Sequence, residues 1–283
     1  MAKSVAQPTE YEILEISRGE VTLHIVGEMP IILNRMAEKA KRDLLLGGRR
    51  KTEADKAANL KHDPEAEFRA SVYRNSGDQA PTRLRFPAPG FKGAMSTAAL
   101  DIPGAKKSEV GRLVWVVGTH VDLYGIPELK MDVVRSADIN KTPDIRTRAI
   151  LPHWACSVTI RYIEGKLNTK AVVNLVLASG LISGIGDFRQ EKGKGNYGQF
   201  RICEPNDEEY REIIRTGGRV AQDEALLNYR CYDEETQELL DWYLTEIVRL
   251  GKRPANDANG GDDVEGAEET PAPKKRRATK KAA

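Results

Sequence analysis

The chain has 283 residues, of which 40% are hydrophobic and 30% are charged, which is enough apolar material for a substantial core and excludes a fully disordered protein. Its 44 Lys and Arg residues nearly balance 42 Asp and Glu residues, so the net charge of +2 by itself predicts no polyanionic partner. No apolar run reaches the roughly 18 residues that a membrane-spanning helix needs, so we expect a cytoplasmic protein with no membrane contact.

The first half of the chain predicts strands, two helices and a polar insertion. Alternating residues indicate a strand or hairpin over 11–33, and a helical pattern follows over 34–46 with Asn34 as N-cap. Residues 49–81 are rich in turn formers, which predicts a mobile insertion with one short helix. A rigid proline-containing segment then leads to a helix of small residues over 92–100 and to strands over 113–117 and 121–124.

The second half begins with another polar stretch over 135–148 and a predicted strand over 155–162. Apolar spacing indicates a helix over 172–181, capped by Asn168 or Thr169, then a strand over 199–203. Helices over 208–215 and 234–250 are expected on the outside of the molecule. Beyond residue 252 the composition predicts a disordered tail with a basic terminus.

This order of elements predicts an α+β fold with a ferredoxin-like or RRM-like (RNA-recognition-like) sheet. In that arrangement two helices cover one face of the sheet and the other face remains free for a ligand. The chain would then form one core over 1–252, with inserted basic arms at about 34–81 and 125–152, and a disordered tail over 253–283.

The most informative segment spans residues 180–202, in which the glycine-rich loop, residues 180–199, lies between a predicted helix and a predicted strand. Its glycines allow positive φ and close approach to a ligand, and its cations can form charge-assisted bonds with phosphate. It is neither a Walker loop, since no Ser or Thr follows Gly-Lys in the required frame, nor a dinucleotide loop, since its glycines follow a helix. The alternative is a long connection whose glycines only satisfy turn geometry.

Two motifs together resemble a known family. The glycine-rich loop contains GIG at 184–186, a basic run and GNYGQF at 195–200, and the first small-residue helix opens with FPAPGFKGAM at 86–95. In this order they are similar to motifs of the RAMP superfamily, which includes the crRNA-binding backbone subunits of class 1 CRISPR effector complexes. The resemblance implies that Lys92 and the amide of Gly93 contact phosphates. It implies no RNA cleavage, because no aspartate in 32–43 aligns with the one that some backbone subunits use.

The predicted nucleic-acid-binding residues are cations, glycines and one aromatic residue in five segments. They are Lys92 and Gly93; Arg49, Arg50 and Lys51; Arg135, Arg146 and Arg148; Gly186, Arg189, Lys192, Lys194 and Tyr197; and Lys274, Lys275, Arg276 and Arg277 in the tail. Phe188, Phe91 and Trp154 are further candidates for stacking on bases. The alternative for the basic runs is a solvated helix face or a solubilising terminus.

No catalytic residue, metal ligand or cofactor is predicted. The four histidines are separated by long intervals, no Gly-x-Ser-x-Gly elbow occurs, and three widely spaced cysteines are typical of unpaired thiols. We therefore expect a non-catalytic protein that coats single-stranded RNA or DNA as a head-to-tail homo-oligomer. The basic tail lies outside the family pattern and suggests a variant encoded by a phage or mobile element. Two alternatives remain: a decoy or assembly partner of CRISPR-complex proteins, and an RNA-processing endonuclease.

Overall fold

A computed structural model describes residues 15–38, 41, 45, 62–135, 143–192 and 195–251, with only the backbone of Lys192. The strands are β1 (Arg18–Gly27), β2 (Ile31–Leu33), β3 (Tyr73–Arg74), β4 (Leu84–Pro87), β5 (Val114–Val116), β6 (His120–Asp122), β7 (Glu128–Arg135), β8 (Pro143–Leu151), β9 (Ala155–Ile163) and β10 (Phe200–Cys203). The helices are α1 (Pro64–Ala70), α2 (Ala88–Ala98), α3 (Lys107–Leu113), α4 (Thr169–Ala178), α5 (Glu208–Thr216), α6 (Arg219–Leu227) and α7 (Glu234–Leu250).

The central sheet has the strand order β10-β1-β9-β5, and every neighbouring pair is antiparallel. Its strands and the helices α2 and α4 follow one another as β1-α2-β5-β9-α4-β10, which is the ferredoxin-like arrangement predicted from the sequence. Alternation on β1 sends Leu23 and Ile25 into the main core, which also contains Met95 of α2 and Val176 of α4. The α+β prediction, with two helices on one face, is confirmed.

The opposite face of this sheet is partly covered by α5. Val26 and Ala155 of the sheet form a separate apolar cluster with Tyr210 and Ile213 of the helix. The Tyr210 hydroxyl lies 2.7 Å from Ser157 Oγ, which fixes the helix against β9. The prediction that this face stays free for a ligand is therefore wrong where α5 lies, because that helix has an apolar side of its own to bury.

Both predicted insertions contain ordered structure that packs on the core. In the first, α1 is the predicted short helix, but Phe68 and Val72 are completely or almost completely buried, so this part is not the expected mobile segment. In the second, β7 and β8 form an antiparallel pair that β2 extends into a three-stranded sheet. The expected strand or hairpin over 11–33 is thus two strands, β1 and β2, that belong to different sheets.

Of the predicted helix over 34–46, residues 34–37 are not helical, Glu38, Lys41 and Leu45 are helical, and the remaining positions lie outside the described residues. Asn34 is not the N-cap, because the three residues after it are not helical; its side-chain amide donates to Asp187 Oδ2 at 2.8 Å. The tail over 253–283 lies outside the described residues. None of the helices in the described ranges combines the length and apolar character needed to cross a bilayer.

Candidate nucleic-acid interface

The glycine-rich loop folds back on its own backbone. Gly186 and Gly198 have positive φ values of 89° and 74°. A Cβ at Gly198 would lie 1.7 Å from the carbonyl oxygen of Ile185, and a Cβ at Gly195 would lie 1.6 Å from that of Phe188. The packing of the loop on its own backbone therefore requires these glycines. This is what the alternative interpretation of the sequence predicts, in which the glycines satisfy turn geometry.

The backbone amides of the loop are also used within the protein. The amide of Asp187 donates to the carbonyl of Ile32 at 2.9 Å, and that of Gly198 donates to Pro30 at 2.8 Å. The amide of Ile185 donates to Gly198 at 3.0 Å. Because these donors are already satisfied, they are not available to hold phosphate as a backbone nest would.

The structure brings α2 and the glycine-rich loop together. A π-helical turn, Ser179–Ser183, follows α4 and opens the loop, and its Ser183 hydroxyl donates to the carbonyl of Ala94 at 3.2 Å. Farther along, Thr97 Oγ1 lies 3.4 Å from Glu191 Oε1. The two segments that carry the family resemblance therefore meet along one side of α2.

Lys92 and Gly93 lie on the outer part of α2, beside this junction. Position 93 is in the second turn of the helix, where the amide bonds to the carbonyl four residues earlier, so the predicted amide contact with phosphate is wrong. Gly93 itself is exposed, and no atom lies within 4 Å of the place a Cβ would take. What α2 offers there is an unobstructed stretch of backbone next to the partly exposed Lys92.

Arg148 is not available as a surface cation. Its side chain is only 5% exposed and forms ion pairs with Asp187 at 2.5 Å and Asp132 at 2.6 Å. Burial alone would raise the pKa of the Asp187 carboxyl, but the charge of Arg148 and several hydrogen bonds hold it below its usual range. The predicted role of Arg148 in nucleic-acid binding is thus replaced by a structural one, tying the loop to β8.

Arg189 is also engaged within the loop. Its Nε donates to Glu191 at 2.7 Å and its Nη1 donates to the carbonyl of Gly186 at 2.8 Å. By contrast, Arg135 and Arg146 are exposed on β7 and β8, with Arg146 opposite Asp132 in the strand register. Of the three arginines predicted in this second arm, these two have the exposure that a phosphate contact requires.

Two aromatic rings lie at the exposed end of the loop. Phe188 and Tyr197 have ring centroids 6.1 Å apart, and Phe188 is 47% exposed. The other stacking candidates are interior: Trp154 is completely buried and Phe91 almost so. The remaining predicted site residues, namely Arg49, Arg50, Lys51, the side chain of Lys192, Lys194, Lys274, Lys275, Arg276 and Arg277, lie outside the described residues.

No family model matches the sequence, and no curated protein is significantly similar to it. The structure is similar to the crystal structure of Cmr6 from Pyrococcus furiosus, with a TM-score of 0.35 and 9% identity over 66% of this chain and 98% of that chain. It is also similar to a cryo-EM structure of the type III-B Cmr-beta bound to cognate target RNA, with a TM-score of 0.30 and 14% identity over 65% of this chain and 59% of that one.

Proposed function

We propose that this chain is a RAMP-like protein that binds single-stranded nucleic acid along the junction between α2 and the glycine-rich loop. The observation that carries the proposal is Gly93. Among the described glycines, it alone has neither a positive φ nor an atom within 4 Å of its missing Cβ. A glycine inside a helix costs about 0.5–1 kcal/mol relative to alanine, and no contact in the described part of the chain accounts for that cost.

Close approach of an extended ligand to the backbone would account for the glycine. The neighbouring Lys92 supplies a cation for a phosphate, and the aromatic pair Phe188 and Tyr197 offers a surface for bases. Phosphate contacts of this kind do not read the sugar or the base, so both RNA and DNA are expected to bind.

The test compares Gly93→Ala with Gly111→Ala, since the two glycines lie inside α2 and α3, which contact each other, and Gly111 has only Ser96 Oγ near, at 3.8 Å. Both variants should be more stable to urea by about 0.5–1 kcal/mol. Only Gly93→Ala should bind a fluorescein-labelled single-stranded oligonucleotide several-fold more weakly at low salt. Failure of the wild type to bind, or equal affinity of the two variants, would contradict the proposal.

The proposal extends to a non-catalytic coat of head-to-tail copies along one strand. Sedimentation with oligonucleotides of increasing length should then show complexes that grow in steps of one 31.4 kDa chain plus its share of nucleic acid. Incubation with RNA, with and without Mg²⁺, should leave the RNA intact. If one protomer binds to every length of oligonucleotide, the chain does not form a coat. If the RNA is shortened, the chain is catalytic.

A further inference from the structure

Phe188 has a backbone conformation that its side chain disfavours. Among the described residues it is the only non-glycine with a positive φ, at 49°. A bulky residue is rarely found in this left-handed region, which glycine and asparagine adopt far more easily. Burial does not explain the choice of phenylalanine, since the side chain is 47% exposed.

The surrounding loop holds this conformation from both sides. The Asp187 carboxylate accepts from the amide of Phe188 at 2.9 Å, and Asp187 is itself fixed by Arg148. On the other side, the backbone of Gly195 packs directly on the carbonyl of Phe188. An unfavourable conformation that its neighbours enforce in this way is characteristic of functional positions.

The enforced conformation presents a flat apolar surface at the edge of the proposed interface. Tyr197 supports the ring of Phe188 at 6.1 Å with an interplanar angle of 39°. Three residues after Phe188, Glu191 reaches Thr97 on the side of α2 that also carries Gly93. A planar aromatic ligand that arrives on a polyanionic strand fits this surface, because base–aromatic stacking needs only an exposed ring face.

Building on the proposed function, we infer that Phe188, backed by Tyr197, is a stacking platform for one nucleobase of the bound strand. The ring is a contact for the base and contributes nothing to the phosphate contacts made by Lys92. Stacking of this kind tolerates every base, so the platform would set the position of the strand rather than its sequence.

The test uses Phe188→Asn, which suits the left-handed backbone, and Phe188→Trp, which keeps an aromatic surface. Phe188→Asn should raise the melting temperature by about 2–4 °C and weaken binding of a labelled single-stranded oligonucleotide about fivefold or more. Phe188→Trp should retain the affinity. If the ring only packs on Tyr197 to stabilise the loop, Phe188→Asn would instead lower the melting temperature and leave the affinity unchanged, which would overturn the inference.

Two further probes separate this inference from the proposed function. Wild type should quench the fluorescence of a 2-aminopurine placed within the oligonucleotide more than Phe188→Asn does. On an oligonucleotide with abasic sites in place of bases, the two proteins should bind equally. Equal affinity of wild type and Phe188→Asn for the normal strand would rule out the stacking platform alone. Failure of the wild type to bind any strand would rule out the proposed function as well.

Discussion

Arg146 and Arg148 show how two like residues on one strand acquire different roles. They lie two positions apart on β8 and therefore on the same side of the strand. Arg146 is exposed, whereas Arg148 is covered by the glycine-rich loop and paired with carboxylates from the loop and from β7. Removing this buried cation would leave Asp187 without its cationic partner among the described residues, whereas Asp132 would keep Lys130 at 3.3 Å.

Replacing these arginines should separate stability from binding. Arg148→Ala should lower the free energy of unfolding by about 2–3 kcal/mol, less than the roughly 3–5 of a fully buried pair, because both carboxylates keep some contact with water. Arg146→Ala should change it by less than about 0.5 kcal/mol and should weaken nucleic-acid binding at low salt. Urea denaturation and fluorescence anisotropy measure the two effects. Similar stability of the two variants would show that the buried pairs contribute little.

His62 joins three elements through its ring and backbone. Its ring nitrogens lie 2.9 Å from Glu67 of α1 and 3.1 Å from Asp144 of β8, and its carbonyl accepts from Tyr243 of α7 at 2.7 Å. The hydrogen bond to Glu67 raises the pKa of the imidazole, burial opposes that rise, and the charge of Asp144 adds to it.

This raised pKa predicts a stability that depends on pH. The contribution of the protonated ring is complete below the ordinary value of about 6.5 and disappears as the pH rises through the higher pKa of the folded state. Wild type should therefore lose stability as the pH rises above about 6.5, and His62→Gln should lose less over the same rise. Parallel pH profiles of urea midpoints for the two proteins would disprove this role of His62.

At the scale of elements, glycines with positive φ inside and outside the glycine-rich loop should tolerate substitution very unevenly. Gly165 and Gly198 both have positive φ, at 82° and 74°, but a Cβ at Gly165 meets no atom within 4 Å, whereas one at Gly198 meets the carbonyl of Ile185. Gly165→Ala should therefore lower the free energy of unfolding by only about 1 kcal/mol, which is the cost of the backbone strain. Gly198→Ala should lower the free energy of unfolding by about 3 kcal/mol or more, since the clash with the carbonyl adds to the same backbone strain. Equal losses in urea denaturation would mean that the loop relaxes easily around the new methyl group.

The elements that the sequence predicts well are those whose burial follows their residue pattern. The alternation of β1 and the apolar spacing of α4 predict both elements, and Asn168, one of the two predicted caps of α4, accepts from the amide of Ala171 at 2.8 Å. The pair β7–β8 is missed because its inward side carries charges. Lys130 and Arg148 are nearly buried but are paired with carboxylates, so the segment has the polarity of a loop.

The site is predicted less completely than the fold. The sequence identifies Lys92, Gly93 and Tyr197 as candidates at one junction, because short motifs mark the segments that meet there. It does not reveal that Arg148 is buried or that Phe188 is strained. Both depend on contacts between segments far apart in the chain, which no local pattern contains.

For the whole molecule, the nearly balanced charges of the chain are extensively paired. Arginines on several surfaces have carboxylate partners, as in the pairs Arg83–Asp223, Arg161–Glu20 and Arg201–Asp207. Such pairs reduce the general attraction of a polyanion, so binding should depend on a few cations without an acidic neighbour. The basic end of the tail is one concentration of such cations in the sequence.

Changing Lys274, Lys275, Arg276 and Arg277 together to Gln should therefore reduce the salt dependence of binding. Each phosphate neutralised on a single strand contributes about −0.7 to the slope of log affinity against log salt, so the slope should become shallower by up to about 3. The melting temperature should not change. An unaltered slope would mean that the tail takes no part in binding.

The position of α5 determines from which side a strand can be held. Since Tyr210 and Ile213 occupy part of the outer surface of the central sheet, that surface is not a broad free platform, and the proposed contact lies on the helix side, at the junction of α2 and the loop. A strand held on the outer side of one helix would be shielded along one flank only. Hydroxyl-radical cleavage of bound RNA would then show partial protection at each sugar, and the bases turned outward would stay accessible to a complementary strand.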